Sequence, residues 1–237
     1  AELVVNASKF SPIGQRGMFT SRQGIGVEDY FNKADLDFDV RIVPEDKPLG
    51  TGGALGNCRD VISGRFACFN GDIVSSLNVG QMLEQHAKMD VKGTLALWEV
   101  EDPTRFGIVG LDEGRKVTQF KEKPKPEEVF SNLINAGSYI LEEEVFEIMP
   151  KEKHSLERDV FPVLAEEGSL AGFPFEGYFI DAGTPSSWHD GVTRCITENR
   201  FKSGSVKGGT WHQGNETSAI NSMVQNGCDV SGMVSES

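Results

Sequence analysis

Two aspartates stand at the ends of apolar runs, in Phe69-Asn70-Gly71-Asp72 and in Phe179-Ile180-Asp181-Ala182-Gly183-Thr184. A carboxylate at a strand tip can cap a helix or bind a hard cation, and for one such aspartate alone capping is the default. Two together can hold Mg2+ against substrate phosphates, because Mg2+ keeps several waters and takes only one or two carboxylates. A third constellation is Pro48-Leu49-Gly50-Thr51-Gly52-Gly53-Ala54-Leu55, leading into a helix. Glycines there let backbone N–H groups approach an anion or a base edge, and the helix N-terminus adds positive potential. A plain turn is an equal reading of that run by itself. The fourth is Phe120-Lys121-Glu122-Lys123-Pro124, with Arg105-Phe106-Gly107 before it and Asn135-Ala136-Gly137 after it. A lysine fixed by a following proline suits a phosphate contact, while Glu122 and Asn135 can hydrogen-bond hydroxyls. An exposed charged loop explains each piece better than it explains the set.

The elements that must position these groups alternate strand and helix. Val40-Arg41-Ile42-Val43, Phe66-Ala67-Cys68-Phe69, Leu95-Ala96-Leu97-Trp98 and Tyr178-Phe179-Ile180 read as strands. Near-continuous apolar runs ending in Gly, Asp or Asn predict parallel strands covered on both faces. Asn78 with Gln81 resembles a capping box, Ser155 caps a helix over 156–164, and Thr184-Pro185 opens another. The expected fold is α/β, a Rossmann-like mixed, mostly parallel sheet with helices on both faces. Ligands of such sheets bind beyond the carboxyl ends of the strands, where the four constellations fall. Residues 12–28 read as a long glycine-bearing loop before a helix at 27–33.

The chain has 237 residues and 38% hydrophobic side chains, enough for one large domain with an appendage and a core that needs no staples. Lys and Arg number 23 against 36 Asp and Glu, a net charge of −13, which argues against a nucleic-acid partner. No apolar stretch approaches the roughly 18 residues of a membrane span. Cys58, Cys68, Cys195 and Cys228 form no CxxC pair, which together with the absence of a signal peptide predicts reduced thiols and a cytoplasmic location. The acidic clusters at Glu142-Glu143-Glu144 and Glu166-Glu167 read as solvated helix faces.

Taken in order, these motifs resemble the sugar-nucleotide pyrophosphorylases, or nucleotidylyltransferases, from Glu2 to about Phe201. Within the family, Val129-Phe130-Ser131-Asn132-Leu133-Ile134-Asn135-Ala136-Gly137-Ser138-Tyr139-Ile140-Leu141 and Ser155-Leu156-Glu157-Arg158-Asp159-Val160-Phe161-Pro162 look closest to the mannose-1-phosphate guanylyltransferases. The resemblance implies an enzyme that joins a sugar 1-phosphate to an NTP and releases pyrophosphate, with GDP-mannose as the product read first. Thymidylyl or uridylyl transfer to glucose 1-phosphate, or a non-catalytic nucleotide-sugar-binding regulatory subunit, are the alternatives. It also implies roles: Asp72 and Asp181 for Mg2+, Lys123 for the sugar phosphate, and Gly107, Glu122, Asn135 and Gly137 for the sugar. Gly50, Thr51, Gly52 and Gly53 match the turn facing the base. Glu45 falls near it, where a carboxylate can accept both N1–H and N2–H2 of guanine. A homo-oligomer is compatible with the sequence.

The family opens with a strand, a glycine-rich loop containing arginine and a lysine-proline segment that hold the triphosphate, and nothing here matches them. The sequence therefore reads as a catalytic domain over 1–201 without its first βα unit, on the order of 40 residues. Little turnover is expected of the 237-residue chain. Val224, Gly227, Val230 and Gly232 resemble the start of a left-handed β-helix, so 202–237 is expected to be a linker and an incomplete coil.

Overall fold

The computed structural model describes residues 3–6, 18–19, 41–45 and 47–197, and the backbone of short strands at 212–213, 218–220, 229–230 and 233–235. The chain divides into two compact units, Ala1–Phe179 and Ile180–Ser237. The first is built on an eight-stranded sheet. Its strands are β1 (Leu3–Asn6), β2 (Met18–Phe19) and β3 (Phe66–Asn70), then, after a separate short β4 (Ile73–Ser75), β5 (Gly93–Glu99), β6 (Gly107–Leu111), β7 (Val117–Glu122), β8 (Leu133–Leu141) and β9 (Leu170–Pro174). The order is β2-β1-β3-β8-β5-β9, with β6 paired to β7 and to the start of β8.

The expected parallel character is not what forms. Among the described residues β5 with β9 is the one parallel pairing of this sheet, and the others are antiparallel. β3 and β5 are apolar runs because both of their faces are covered, whichever way their neighbours run. Alternation sorts them: Cys68, Leu95, Leu97, Tyr139 and Leu141 join one core cluster, and Ala67, Ala96 and Ile140 the other. Burying each of the larger side chains contributes about 1.5–3 kcal/mol.

Helices cover both clusters. α1 (Gly50–Gly56) and α3 (Val145–Ile148) add Leu55 and Val145 to the first, while α2 (Val79–Lys88) adds Met82 to the second. Asn78 caps α2 as predicted, its Oδ1 accepting the Gln81 N–H at 3.1 Å. Ser155 likewise accepts the Arg158 N–H at 3.3 Å. The single helix expected after it is instead a π turn (Leu156–Val160) that runs into α4 (Phe161–Glu166). Pro162 has no N–H to give to Arg158, and the Phe161 N–H reaches back to the Leu156 carbonyl, one residue further than an α-helix would take it. Of the strand expected at 40–43, residues 41–43 have no ladder partner among the described residues, and Val43 packs on the first core cluster.

One bulge shapes β8. Leu95 faces Tyr139 and Leu97 faces Asn135, so between these pairs one residue of β5 stands against three of β8. Gly137 sits in this bulge at φ +65°, and a Cβ there would stand 2.7 Å from Asn70 Nδ2. The bulge thus lies directly against the tip of β3.

Glu142, read from sequence as solvated, is engaged instead. Its Oε1 accepts from Arg65 Nε at 2.6 Å and meets His86 Nε2 at 3.0 Å, while His86 Nδ1 lies 2.7 Å from Thr94 Oγ1. His86 and Thr94 are fully buried. Burial holds His86 below the ordinary imidazole value, against the opposing pull of Glu142.

The second unit contains the end of β10 (Phe179–Asp181) and α5 (Pro185–Thr197). Thr184 caps α5 as predicted, its Oγ1 accepting the Ser187 N–H at 3.2 Å. Further on, β11 (His212–Gln213) pairs in parallel with β13 (Asp229–Val230), and β12 (Ser218–Ile220) with β14 (Met233–Ser235). The expected boundary at 201/202, the helix at 27–33, and all of the 12–28 loop except Met18–Phe19 lie outside the described residues.

Two outcomes follow. Alanine at Gly137 must adopt a left-handed backbone and displace Asn70, so unfolding in denaturant should show a loss of about 1–3 kcal/mol. For His86, the unfolded chain takes up the proton first as pH falls below the ordinary value of about 6.5. Stability contributed at that position is therefore present at high pH and lost on acidification. The stability difference between wild type and His86→Gln, measured in denaturant, should narrow from pH 8 to pH 5.

Candidate acceptor site

β6 and β7 place Gly107 opposite Glu122. A Cβ on Gly107 would lie 2.8 Å from both Glu122 Oε2 and Phe120 Cζ, so the bare backbone is what leaves room for the carboxylate. Burial and the nearby charge of Glu157 push the Glu122 carboxyl up, while Lys123 and Arg158 pull it down. Immediately after it, Lys123 is exposed and has φ +47°. A residue before proline is normally extended, and a left-handed one is strained by about 1–3 kcal/mol. The Lys123 N–H is held by the Phe106 carbonyl at 2.9 Å, and Pro124 is buried. Lys121 is paired with Glu128 at 2.7 Å, whereas among the described residues Lys123 has no ion-pair partner.

β8 brings Asn135 and Gly137 to the same end of the sheet. Asn135 Nδ2 donates to the Tyr139 hydroxyl at 3.0 Å and its Oδ1 accepts the Gly137 N–H at 3.1 Å. One amide hydrogen and one lone pair remain for a ligand. Tyr139 is fully buried, with its ring 5.0 Å from that of Phe161. Burial, reinforced by Glu157, pushes its phenol well up, so it stays neutral.

The glycine run differs from its sequence reading. It forms the first turn of α1 itself, and the N–H groups of Gly52 and Gly53 donate to the His154 carbonyl at 3.1 and 3.2 Å. Those two groups are therefore committed within the protein. Glycine is required for packing: a Cβ on Gly50 would come within 2.5 Å of the His154 carbonyl oxygen, and one on Gly52 would enter the His154 ring. His154 Nδ1 donates to the Glu152 carbonyl at 2.7 Å, and its buried Nε2 has no partner among the described residues. Thr51 bridges the same two segments. Its hydroxyl donates to Glu157 Oε2 at 2.6 Å and accepts the Leu156 N–H at 3.0 Å. Ser155 Oγ donates to that same Glu157 oxygen at 2.6 Å.

Glu45 is half-buried and accepts the Leu49 N–H at 3.2 Å, which orients its carboxylate at the entrance to α1. Burial, with Glu45 adding to it, pushes the Cys58 thiol up to about 12, and Cys68 is also pushed up; both are buried, protonated packing groups. Asp72 is exposed in the turn between β3 and β4. Asp181 is exposed in the second unit, where its Oδ1 accepts the Gly183 N–H at 3.0 Å. The first unit thus unites Gly107, Glu122, Lys123, Asn135 and Gly137 around neighbouring strand ends, while the two aspartates belong to different units. A cavity of about 530 Å3 lined by Arg59, Glu143, Glu144 and Lys151, among others, includes none of these residues.

Sequence reasoning did not single out His154, Glu157 or Tyr139. Glu157 and Tyr139 stood inside stretches that carried the resemblance, but the partner of Glu157 lies 106 residues away, a separation that no local pattern reveals.

Among the described residues no helix is long and apolar enough to cross a membrane, and no three His, Cys, Asp or Glu side chains are grouped to hold a metal ion. Residues 12–198 match the family model for nucleotidyl transferases. The chain is 36% identical over 165 residues to the mannose-1-phosphate guanylyltransferase of Mycobacterium tuberculosis, covering 68% of this chain and 45% of that protein. It is 34% identical over 167 residues to the mannose-1-phosphate guanyltransferase of Saccharomyces cerevisiae, covering 68% and 46%. The chain spans about half the length of the curated relatives it matches. The crystal structure of HddC from Yersinia pseudotuberculosis superposes with a TM-score of 0.62 at 28% identity, covering 75% of this chain and 76% of that one. The same protein complexed with GMP-PN gives 0.59 at 28% identity, covering 71% and 72%. With the family model spanning most of the sequence, the chain belongs to the nucleotidyl transferase family.

Proposed function

We propose that this chain carries the acceptor site of a sugar-1-phosphate nucleotidylyltransferase that makes GDP-mannose and pyrophosphate from mannose 1-phosphate and GTP. The observation that carries the reading is the convergence of Glu122, the strained Lys123 and the Asn135 bulge at one end of the sheet. The names of the relatives supply guanine and mannose.

In this reaction a phosphate oxygen of the sugar 1-phosphate bonds to the α-phosphorus of the NTP, and the bond from that phosphorus to the bridging oxygen of pyrophosphate breaks. No covalent nucleophile from the protein is needed, so catalysis rests on positioning and charge neutralisation. Lys123 contacts the sugar phosphate and stabilises charge growing there. Its left-handed backbone directs the ammonium from a fixed point at the strand end. Glu122 and the remaining polar atoms of Asn135 orient sugar hydroxyls, with Gly107 and Gly137 keeping the backbone close. On the nucleotide side, Gly50, Thr51, Gly52 and Gly53 form the wall facing the base, and Glu45 accepts from guanine.

Members of the family use a divalent metal. Two exposed carboxylates suit such an ion, because Mg2+ retains waters and takes its remaining ligands from phosphate oxygens. Asp72 and Asp181, each within its own unit, are the carboxylates that the family resemblance offers as ligands, and when bound Mg2+ would neutralise charge on the reacting phosphates.

Calorimetric binding of a panel of nucleotide sugars should show GDP-mannose preferred, with affinity raised by Mg2+ in wild type and insensitive to it in Asp181→Asn. Lys123→Met should weaken mannose 1-phosphate by about 10- to 150-fold, the range for losing a hydrogen bond to a charged group. Failure of GDP-mannose and mannose 1-phosphate to bind would refute the assignment. Glu45→Gln should weaken guanine nucleotides relative to uridine ones; an unchanged base preference removes that role from Glu45.

A further inference from the structure

The Thr51 to Glu157 bond joins two parts of the molecule with different proposed roles. Thr51 sits in the wall facing the nucleotide, while Glu157 acts electrostatically on Glu122 and on Tyr139, the partner of Asn135. Glu157 is half-buried, and one oxygen receives two hydroxyl donors, Thr51 and Ser155, both at 2.6 Å. Such a carboxylate is held by short charge-assisted bonds. The backbone of the same segment grips α1 through His154, whose N–H donates to the Leu49 carbonyl at 3.0 Å and whose carbonyl accepts from Gly52 and Gly53. The glycine turn and Glu157 are thereby tied together by hydrogen bonds, and the charge of Glu157 bears on Glu122.

We propose that Glu157 is a positioning residue that couples the nucleotide-facing turn to the sugar-facing strands, so that occupancy of one half-site changes affinity at the other. The inference rests on the acceptor and nucleotide assignments above and adds a thermodynamic link between them. Such a link must be reciprocal: whatever factor GDP imposes on mannose 1-phosphate, mannose 1-phosphate imposes on GDP.

The test is a two-ligand calorimetric cycle on the 237-residue chain. The dissociation constant of mannose 1-phosphate is measured with and without saturating GDP, and the converse titration is run as a check. Repulsion between the two ligands' phosphates is common to every variant and cancels in the comparison. The ratio of the two constants in Glu157→Ala should differ from the wild-type ratio by about fivefold or more. Thr51→Val should shift the ratio in the same direction, and the double variant should add little, because both remove one link. Thr51→Ser, which keeps the hydroxyl, should restore the wild-type ratio. Asn78→Ala, which removes the cap of α2, should lower the melting temperature and leave the ratio alone, separating coupling from loss of stability. A ratio within twofold of wild type in both Glu157→Ala and Thr51→Val overturns the coupling while leaving the site assignments standing. Absence of binding by either ligand to wild type overturns the assignments themselves.

Discussion

The carbonyl of His154 accepts two hydrogen bonds from the first turn of α1, and the rest of the site is arranged around that contact. It demands that the backbone at Gly50 and Gly52 approach without side chains, and this explains a glycine run that would otherwise weaken a helix by about 1 kcal/mol per residue. The contact also fixes where the following residues fall. Once His154 is seated, Glu157 meets both Thr51 and Ser155, Leu156 enters the core with no exposure, and the π turn delivers Phe161 beneath Tyr139. A glycine turn that resembled a ligand cradle thus has a prior structural duty. Part of its hydrogen-bonding capacity is already taken by that duty.

The proposed sugar-facing strands depend on two residues in left-handed backbone, one of them glycine and one not. Gly137 takes that conformation without penalty from a Cβ, and the resulting bulge sets Asn135 against Tyr139 and the strand against Asn70. Lys123 takes it with penalty, immediately before a buried proline. Strain of this kind persists only where surrounding structure over-determines it, and here the β6 to β7 ladder and the Phe106 carbonyl do so. The flexible side chain of lysine would otherwise sweep a large volume; its root, at least, is immobilised.

Much of this was legible in the sequence. The caps at Asn78, Ser155 and Thr184 depend on a few adjacent residues and were readable for that reason. Glu122, Lys123, Asn135 and Gly137 were singled out because glycine and proline punctuate the segments that carry them, and the structure gathers these segments at one end of the sheet. Strand direction was misjudged, because an apolar run records that both faces are buried and carries no sign of which way its neighbours run. Val43 shows the same limit on a smaller scale, since an apolar residue partly buried against the core reads as strand although it has no ladder partner among the described residues. Glu142 was assigned to solvent from its charged neighbours, yet its partners Arg65 and His86 lie 77 and 56 residues away. Bonds over such distances, including that of Thr51 to Glu157, leave no trace in local pattern.

The place of β8 in the sheet has a consequence for how the molecule is made. It lies between β3 and β5, which do not pair with each other, so each leaves an edge waiting for a partner further along the chain, 69 to 75 residues on for β3 and 34 to 48 for β5. During synthesis from the amino end, both edges are present before the strand that separates them exists. Open edges of apolar strands are templates for pairing with other chains. The interval between emergence of Glu99 and of Leu141 is therefore the period of greatest exposure to misassembly, and insertion of β8 closes both edges in a single step.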